Sequence, residues 1–201
     1  MHRNHSSLLG ATLAALSLFS LPACTSEDSG EGTVPPTNEV TGADVFTCVD
    51  DDLSSVQPFG GPGYKPSEGG LQAPLQETYL VSTTVIAIKP DEASGKRFFE
   101  LSGPVIGQLP QMEGVVGWEV ALSDKCGYGR TITVWRNEEA MMGFVMSDAH
   151  VAAMSESASV STAAVVTSWD VPAAEIPLSW DAARAKAADT KISYGGPPQD
   201  P

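Results

Sequence analysis

The sequence predicts an α+β domain of ferredoxin-like type, β-α-β-β-α-β, with an extra helix at its C-terminal end. Three observations predict it. Between residues 78 and 190, stretches with the two-residue period of strands alternate with stretches of helical spacing. The two middle strands are separated only by a short segment, residues 123–129, that holds two glycines and reads as a turn. Side chains suited to capping, Asn137, Ser147 and Ser179, stand at the heads of helical stretches. That order is the split βαβ arrangement.

Each element follows from its residues. Residues 79–88, Tyr-Leu-Val-Ser-Thr-Thr-Val-Ile-Ala-Ile, are largely β-branched and stop at Lys89-Pro90, which makes a first strand. Residues 91–109 carry Phe98, Phe99, Leu101, Val105, Ile106 and Leu109 at helical spacing, with Pro104 expected to kink or split the helix. Residues 115–122 form a second strand, and residues 130–135 alternate as a third. Asn137 caps a helix with Glu138 and Glu139 in its first turn, where the helix dipole favours negative charge. Ser147-Asp148 starts a continuation through His150, Val151 and Met154. Residues 163–171 are a fourth strand, and Ser179 caps an Ala-rich helix over 180–188. In the fourth strand Val165, Thr167, Trp169 and Val171 lie on one side and Ala164, Val166, Ser168 and Asp170 on the other. Both sets include apolar residues, as expected of a sheet covered on both faces. A second copy covering the face away from the helices would make a homodimer with a twofold interface.

The flanks differ in composition. Met1-His2-Arg3, an apolar run over residues 8–19 and Leu21-Pro22-Ala23-Cys24 have the order of a secretory leader, and the run is short of the roughly 20 apolar residues a spanning helix needs. With Cys at its end the leader resembles that of bacterial lipoproteins. The resemblance implies cleavage before Cys24, acylation of its thiol and a lipid bilayer as partner. Each buried methylene of such an anchor contributes about 0.8 kcal/mol. Thr25, rather than Asp, follows Cys24, which for a Gram-negative source implies the outer membrane. Residues 24–42 read as a flexible acidic tether, 43–77 as an irregular arm and 191–201 as a loose tail. Asp50-Asp51-Asp52 lacks the spacing of a calcium loop and is expected to be a solvated charge run.

The formal net charge is −14, and loss of Arg3 with the leader makes it one unit more negative. Such a surface disfavours nucleic acid, whose phosphates need Lys and Arg. Of three Cys, Cys48 and Cys126 remain for an oxidising compartment, and a disulfide between them is the preferred reading, two free thiols the alternative. Two Cys without clustered His are poor zinc ligands, and no metal or organic cofactor is expected.

The run Thr131-Ile132-Thr133-Val134-Trp135-Arg136-Asn137-Glu138-Glu139-Ala140, followed by Phe144-Val145-Met146-Ser147-Asp148-Ala149-His150, resembles the antibiotic-biosynthesis-monooxygenase-like proteins of the dimeric α+β barrel superfamily. Ile176-Pro177-Leu178-Ser179-Trp180-Asp181-Ala182-Ala183 resembles the ending of single-domain relatives without known activity. The resemblance covers residues 78–190. It implies a dimer whose sheets meet face to face and a pocket between each sheet and its helices. Catalytic members oxidise polycyclic aromatics without a cofactor, or degrade haem; many others have no known activity. Phe144 and Met154 replace the helix Trp and the iron-ligating His of the haem-degrading pattern, so haem degradation is not expected.

Two classes of function follow. A binding module would hold a small hydrophobic or aromatic molecule in the pocket, shaped by Trp118, Trp135 and Trp169. An oxygenase would add His150 as the proton handler, since an imidazole titrates near neutral pH. No motif supplies a second polar group beside His150, and the bland alternative is a ring bonded to Asp148 or water. Three Trp in strands also suit a plain core or interface. Met142, Met146, His150 and Met154 recur every four residues, a donor set suited to Cu(I), or else Met filling a core. The break expected at Ser147 disturbs that stripe.

Overall fold

The computed structural model describes residues 39–195, so the leader, Cys24 and most of the expected tether lie outside the described residues, as does the end of the tail. The elements in chain order are α1 (Gly42–Val45), β1 (Ser54–Gly60), β2 (Tyr64–Lys65), β3 (Gly70–Leu71), β4 (Thr78–Ile88), α2 (Glu92–Gln108), β5 (Val115–Ser123), β6 (Tyr128–Trp135), α3 (Glu138–Val145), α4 (Asp148–Val160), β7 (Ser161–Pro172) and α5 (Trp180–Ala188). One antiparallel sheet has the order β1-β5-β6-β4-β7, and β2 pairs with β3 in a separate ribbon. The strands β4, β5, β6 and β7, with α2 after the first and α3–α4 before the last, form the ferredoxin-like β-α-β-β-α-β unit.

The three expected caps are present. The side chains of Asn137, Ser147 and Ser179 accept from the backbone N–H groups of Ala140, His150 and Ala182. Each satisfies one of the donors left free in a first helical turn. Pro104 lies inside α2 and does not split it. Its missing N–H removes one intrahelical bond, while the packing of α2 on α4 remains, with Arg97 paired to Glu156 near one end and Gln108 Nε2 donating to Ser147 Oγ near the other.

Side chains alternate across the sheet. On the helix side Trp118, Val120 and Trp135 pack with Leu109 and Phe144. On the opposite side Tyr79, Val81, Val116, Ile132, Val134 and Val171 pack with Leu178 and Ala183. Val81, Ile132, Val134 and Val165 are fully buried, each worth roughly 1.5–3 kcal/mol relative to exposure. The helix layer stops short of the β7 edge, where Val166 is half exposed and Ser168 and Asp170 face outward. Ala164 on the same side is buried, so the expectation that both sides of this strand are covered holds fully for one side and in part for the other.

The face away from the helices was expected to await a second copy. In the described residues the chain covers it itself, with α5 and with the segment before β4. A dimer joined sheet to sheet would find Val81, Ile132 and Val134 already packed. The arm is accordingly not irregular throughout. β1 pairs along β5 with two register shifts, and Pro58, which argues against a central strand, is accommodated on this edge. Gly42 rests against α5, where a Cβ would lie 2.1 Å from the Ala187 carbonyl oxygen, and its N–H donates to the Thr190 carbonyl. Thr41 bridges to Lys191, so the ordered body begins before residue 42 and extends past 191. Cys48 and Cys126 form a disulfide with a Cα–Cα distance of 5.7 Å, tying the arm to the β5–β6 turn. No helix of the described residues is long and apolar enough to cross a membrane.

Candidate functional site

Two places draw attention, an aromatic cluster on the helix side of the sheet and a cavity on the other. The helix side gathers most of the residues singled out in the sequence. Trp118 and Trp135 point there from neighbouring strands, Phe144 of α3 lies 5.2 Å from the Trp135 ring, and the His150 ring lies 4.7 Å from Phe144. The Trp135 indole N–H donates toward Thr133 Oγ1 at 3.1 Å and Ser82 Oγ at 3.3 Å, and those two hydroxyls are 2.6 Å apart. Trp118 Nε1 and His150 Nδ1 are buried and have no partner among the described residues. Desolvation pushes the His150 imidazole below its ordinary value of 6.5, partly opposed by the nearby Val145 backbone. Among the described residues no carboxylate bonds to it, and the expected bond to Asp148 is not formed. The cluster is closely filled: Trp135 is fully buried, and Trp118 and Phe144 nearly so.

Trp169 does not join this cluster. It lies on the opposite face, with Lys186 Nζ 5.7 Å from its ring centroid. The methionine stripe is not one helix face. Met146 ends α3, Ser147 opens α4, and Met142, Met146 and Met154 are all substantially exposed instead of filling a core.

The second place was not anticipated from the sequence. A cavity of about 480 Å³ opens between α1, α5 and the sheet, walled by Phe46, Val85, Ala187 and Ala188 and by the charged groups Asp50, Arg130 and Arg184. Such a volume suits a small ligand, and an apolar wall with a few fixed polar groups is the usual make-up of a binding site. Asp50 is the centre of the charged group. Its Oδ2 accepts from Arg130 Nε, its Oδ1 from Arg184 Nε at 2.9 Å, and its carbonyl from Arg184 Nη2 at 3.3 Å. The side chains of Asp50 and Arg130 are 5% and 6% exposed, so both are desolvated, and Arg184 is 33% exposed. The aspartate triplet is therefore a solvated run only in part. Asp50 is buried, and Asp52 bonds the Ser123 hydroxyl and the Lys125 N–H at the β5–β6 turn, contacts that hold its carboxyl below the ordinary range. Asp51 and Asp52 keep the expected exposure, and Asp51 pairs with Lys125.

A charged residue at an inward position of β6 was the available signal for this site. Its partners Asp50 and Arg184 lie far away along the chain and could not be read from local pattern. Among the described residues no group of three or more His, Cys, Asp or Glu side chains is arranged to hold a metal ion.

No protein-family model matches the chain, and no curated protein matches it. Solved structures similar to it include protein SO0527 from Shewanella oneidensis, at 12% identity over 48% of this chain and 93% of that chain, with a TM-score of 0.43. Rv0793 from Mycobacterium tuberculosis is similar at 13% identity over 45% of this chain and 92% of that chain, with a TM-score of 0.42. An antibiotic biosynthesis monooxygenase is similar at 16% identity over 46% of this chain and 97% of that chain, with a TM-score of 0.41.

Proposed function

We propose that this chain is an exported, lipid-anchored protein whose ferredoxin-like domain binds a small hydrophobic or aromatic molecule without transforming it. The observation that carries the binding reading is the cavity of about 480 Å³ between α1, α5 and the sheet, with apolar walls and fixed polar groups. The helix-side cluster, by contrast, is filled by the chain's own aromatic rings. Export and anchoring rest on the leader and on Cys24 at its end.

The test is calorimetric titration of the full chain with benzyl alcohol and benzoate, two small aromatics. Saturable one-to-one binding is expected, and it should be lost in Ala43→Trp. Ala43 is exposed at the cavity, so a bulky side chain there narrows the opening without entering the core. Absence of saturable binding for both compounds would remove the reading.

A cofactor-independent oxygenase is the second reading, and one observation favours it. Trp118 Nε1 and His150 Nδ1 are both buried and unpartnered on the helix side. A phenolic substrate reaching them would satisfy both and give its proton to His150. Oxygen uptake with a hydroquinone or anthrone, abolished by His150→Ala, is the result this reading requires.

A further inference from the structure

Two arginines, Arg130 and Arg184, and three aspartates, Asp50, Asp51 and Asp181, line the cavity, and of the aspartates only Asp50 is buried. Two guanidinium groups, Arg130 and Arg184, share the single buried carboxylate of Asp50. Asp181 also pairs with Arg184, but its side chain is 91% exposed, and water screens a pair of that kind. Each arginine reaches the Asp50 carboxylate through Nε alone. The outer nitrogens of Arg184 are taken by the Asp50 carbonyl and by Asp181. Those of Arg130 have no hydrogen-bond partner among the described residues, although the side chain is 94% buried and lines the cavity. A guanidinium that bonds only through Nε leaves a planar pair of donors open to the cavity, and that fork matches the two oxygens of a carboxylate. The Tyr128 ring, its centroid 5.7 Å from the guanidinium carbon, offsets part of the Arg130 charge, and the open fork favours a ligand carrying one negative charge.

We infer that the cavity takes a small monoanionic carboxylate with an apolar body, its carboxylate on the outer nitrogens of Arg130 and its body against Phe46, Val85 and Ala187. This rests on the binding reading above and names its ligand class. Asp51 and Asp181 at the cavity are 67% and 91% exposed, so water screens their charges, whereas the fork acts at contact.

The experiment compares benzoate with benzyl alcohol, a neutral aromatic of similar size, by calorimetric titration of the full chain. Benzoate is expected to bind about tenfold or more tightly, as one charge-assisted bond would give, and Arg130→Gln should abolish that preference. The wild-type chain provides a second readout should that variant not fold. Addition of benzoate, and not of benzyl alcohol, should shift the Arg130 Nε–H resonance in a ¹⁵N spectrum. Equal binding of the two compounds, with an unmoved Arg130 resonance, overturns the anion site while leaving the cavity as a binding site. Failure of both compounds to bind overturns both.

Discussion

Asp50 accepts from Arg130 and Arg184 and is almost fully buried, so its loss leaves the buried Arg130 without a carboxylate and Arg184 with only the exposed Asp181. Removing one member of such a buried group costs about 3–5 kcal/mol. Asp50→Asn should therefore lower the unfolding free energy by about that amount in urea, and Asp51→Asn, at an exposed pair, by under about 1 kcal/mol. His150 sets a pH dependence of the opposite kind. Its folded-state value lies below 6.5, so the unfolded chain takes up the proton first as pH falls. The contribution is intact above 6.5 and is lost as pH drops from there through the folded value. An NMR titration should show a midpoint below 6.5, and His150→Gln should flatten the stability profile in that window. These two residues show unequal legibility. His150 was visible because it is the one histidine after the leader, and its neighbours Phe144 and Trp135 follow from local spacing. The role of Asp50 was hidden, because a run of three aspartates looks solvated until distant arginines are brought beside it.

At the scale of elements, the repeating unit was legible and the arm was not. Strand alternation and caps act locally, and the capped helix over 180–188 and the paired strands appear where those signals lie. β1 was masked by Pro58 and the surrounding glycines, which weaken a strand unless it lies on an edge, as it does here. Ser147 is the most connected cap. It accepts from the His150 N–H and from Gln108 Nε2 and donates to the Phe144 carbonyl, joining α2, α3 and α4. Ser147→Ala should cost about 1–2 kcal/mol in chemical denaturation, above the effect of Ser179→Ala, whose side chain bonds only the Ala182 N–H among the described residues. The Cys48–Cys126 disulfide closes a sequence separation of 78 residues. Replacing both by Ser should lower stability by about 2–5 kcal/mol, read from the urea midpoint.

On the scale of the whole molecule, the described residues build a sheet covered on one face by helices and on the other by the chain's own arm and α5. That second cover was beyond the reach of sequence patterning. Alternation gave the apolar character of the face, and nothing local said whether a second copy or a distant segment would fill it. The cavity proposed to bind a ligand lies at this seam, held by the disulfide, the Gly42 contact with α5 and the Asp50 group. Anchoring is separable from it. Cys24→Ser should move the full chain from the membrane fraction to the soluble fraction without changing its ligand binding, and continued membrane retention would contradict the anchor. The most direct test of the account is a crystal structure of the full chain with benzoate. The predicted result is a carboxylate on the outer nitrogens of Arg130 with the ring among Phe46, Val85 and Ala187. Benzoate seated beside Trp118 and His150 on the helix side, with the cavity free of it, would contradict it.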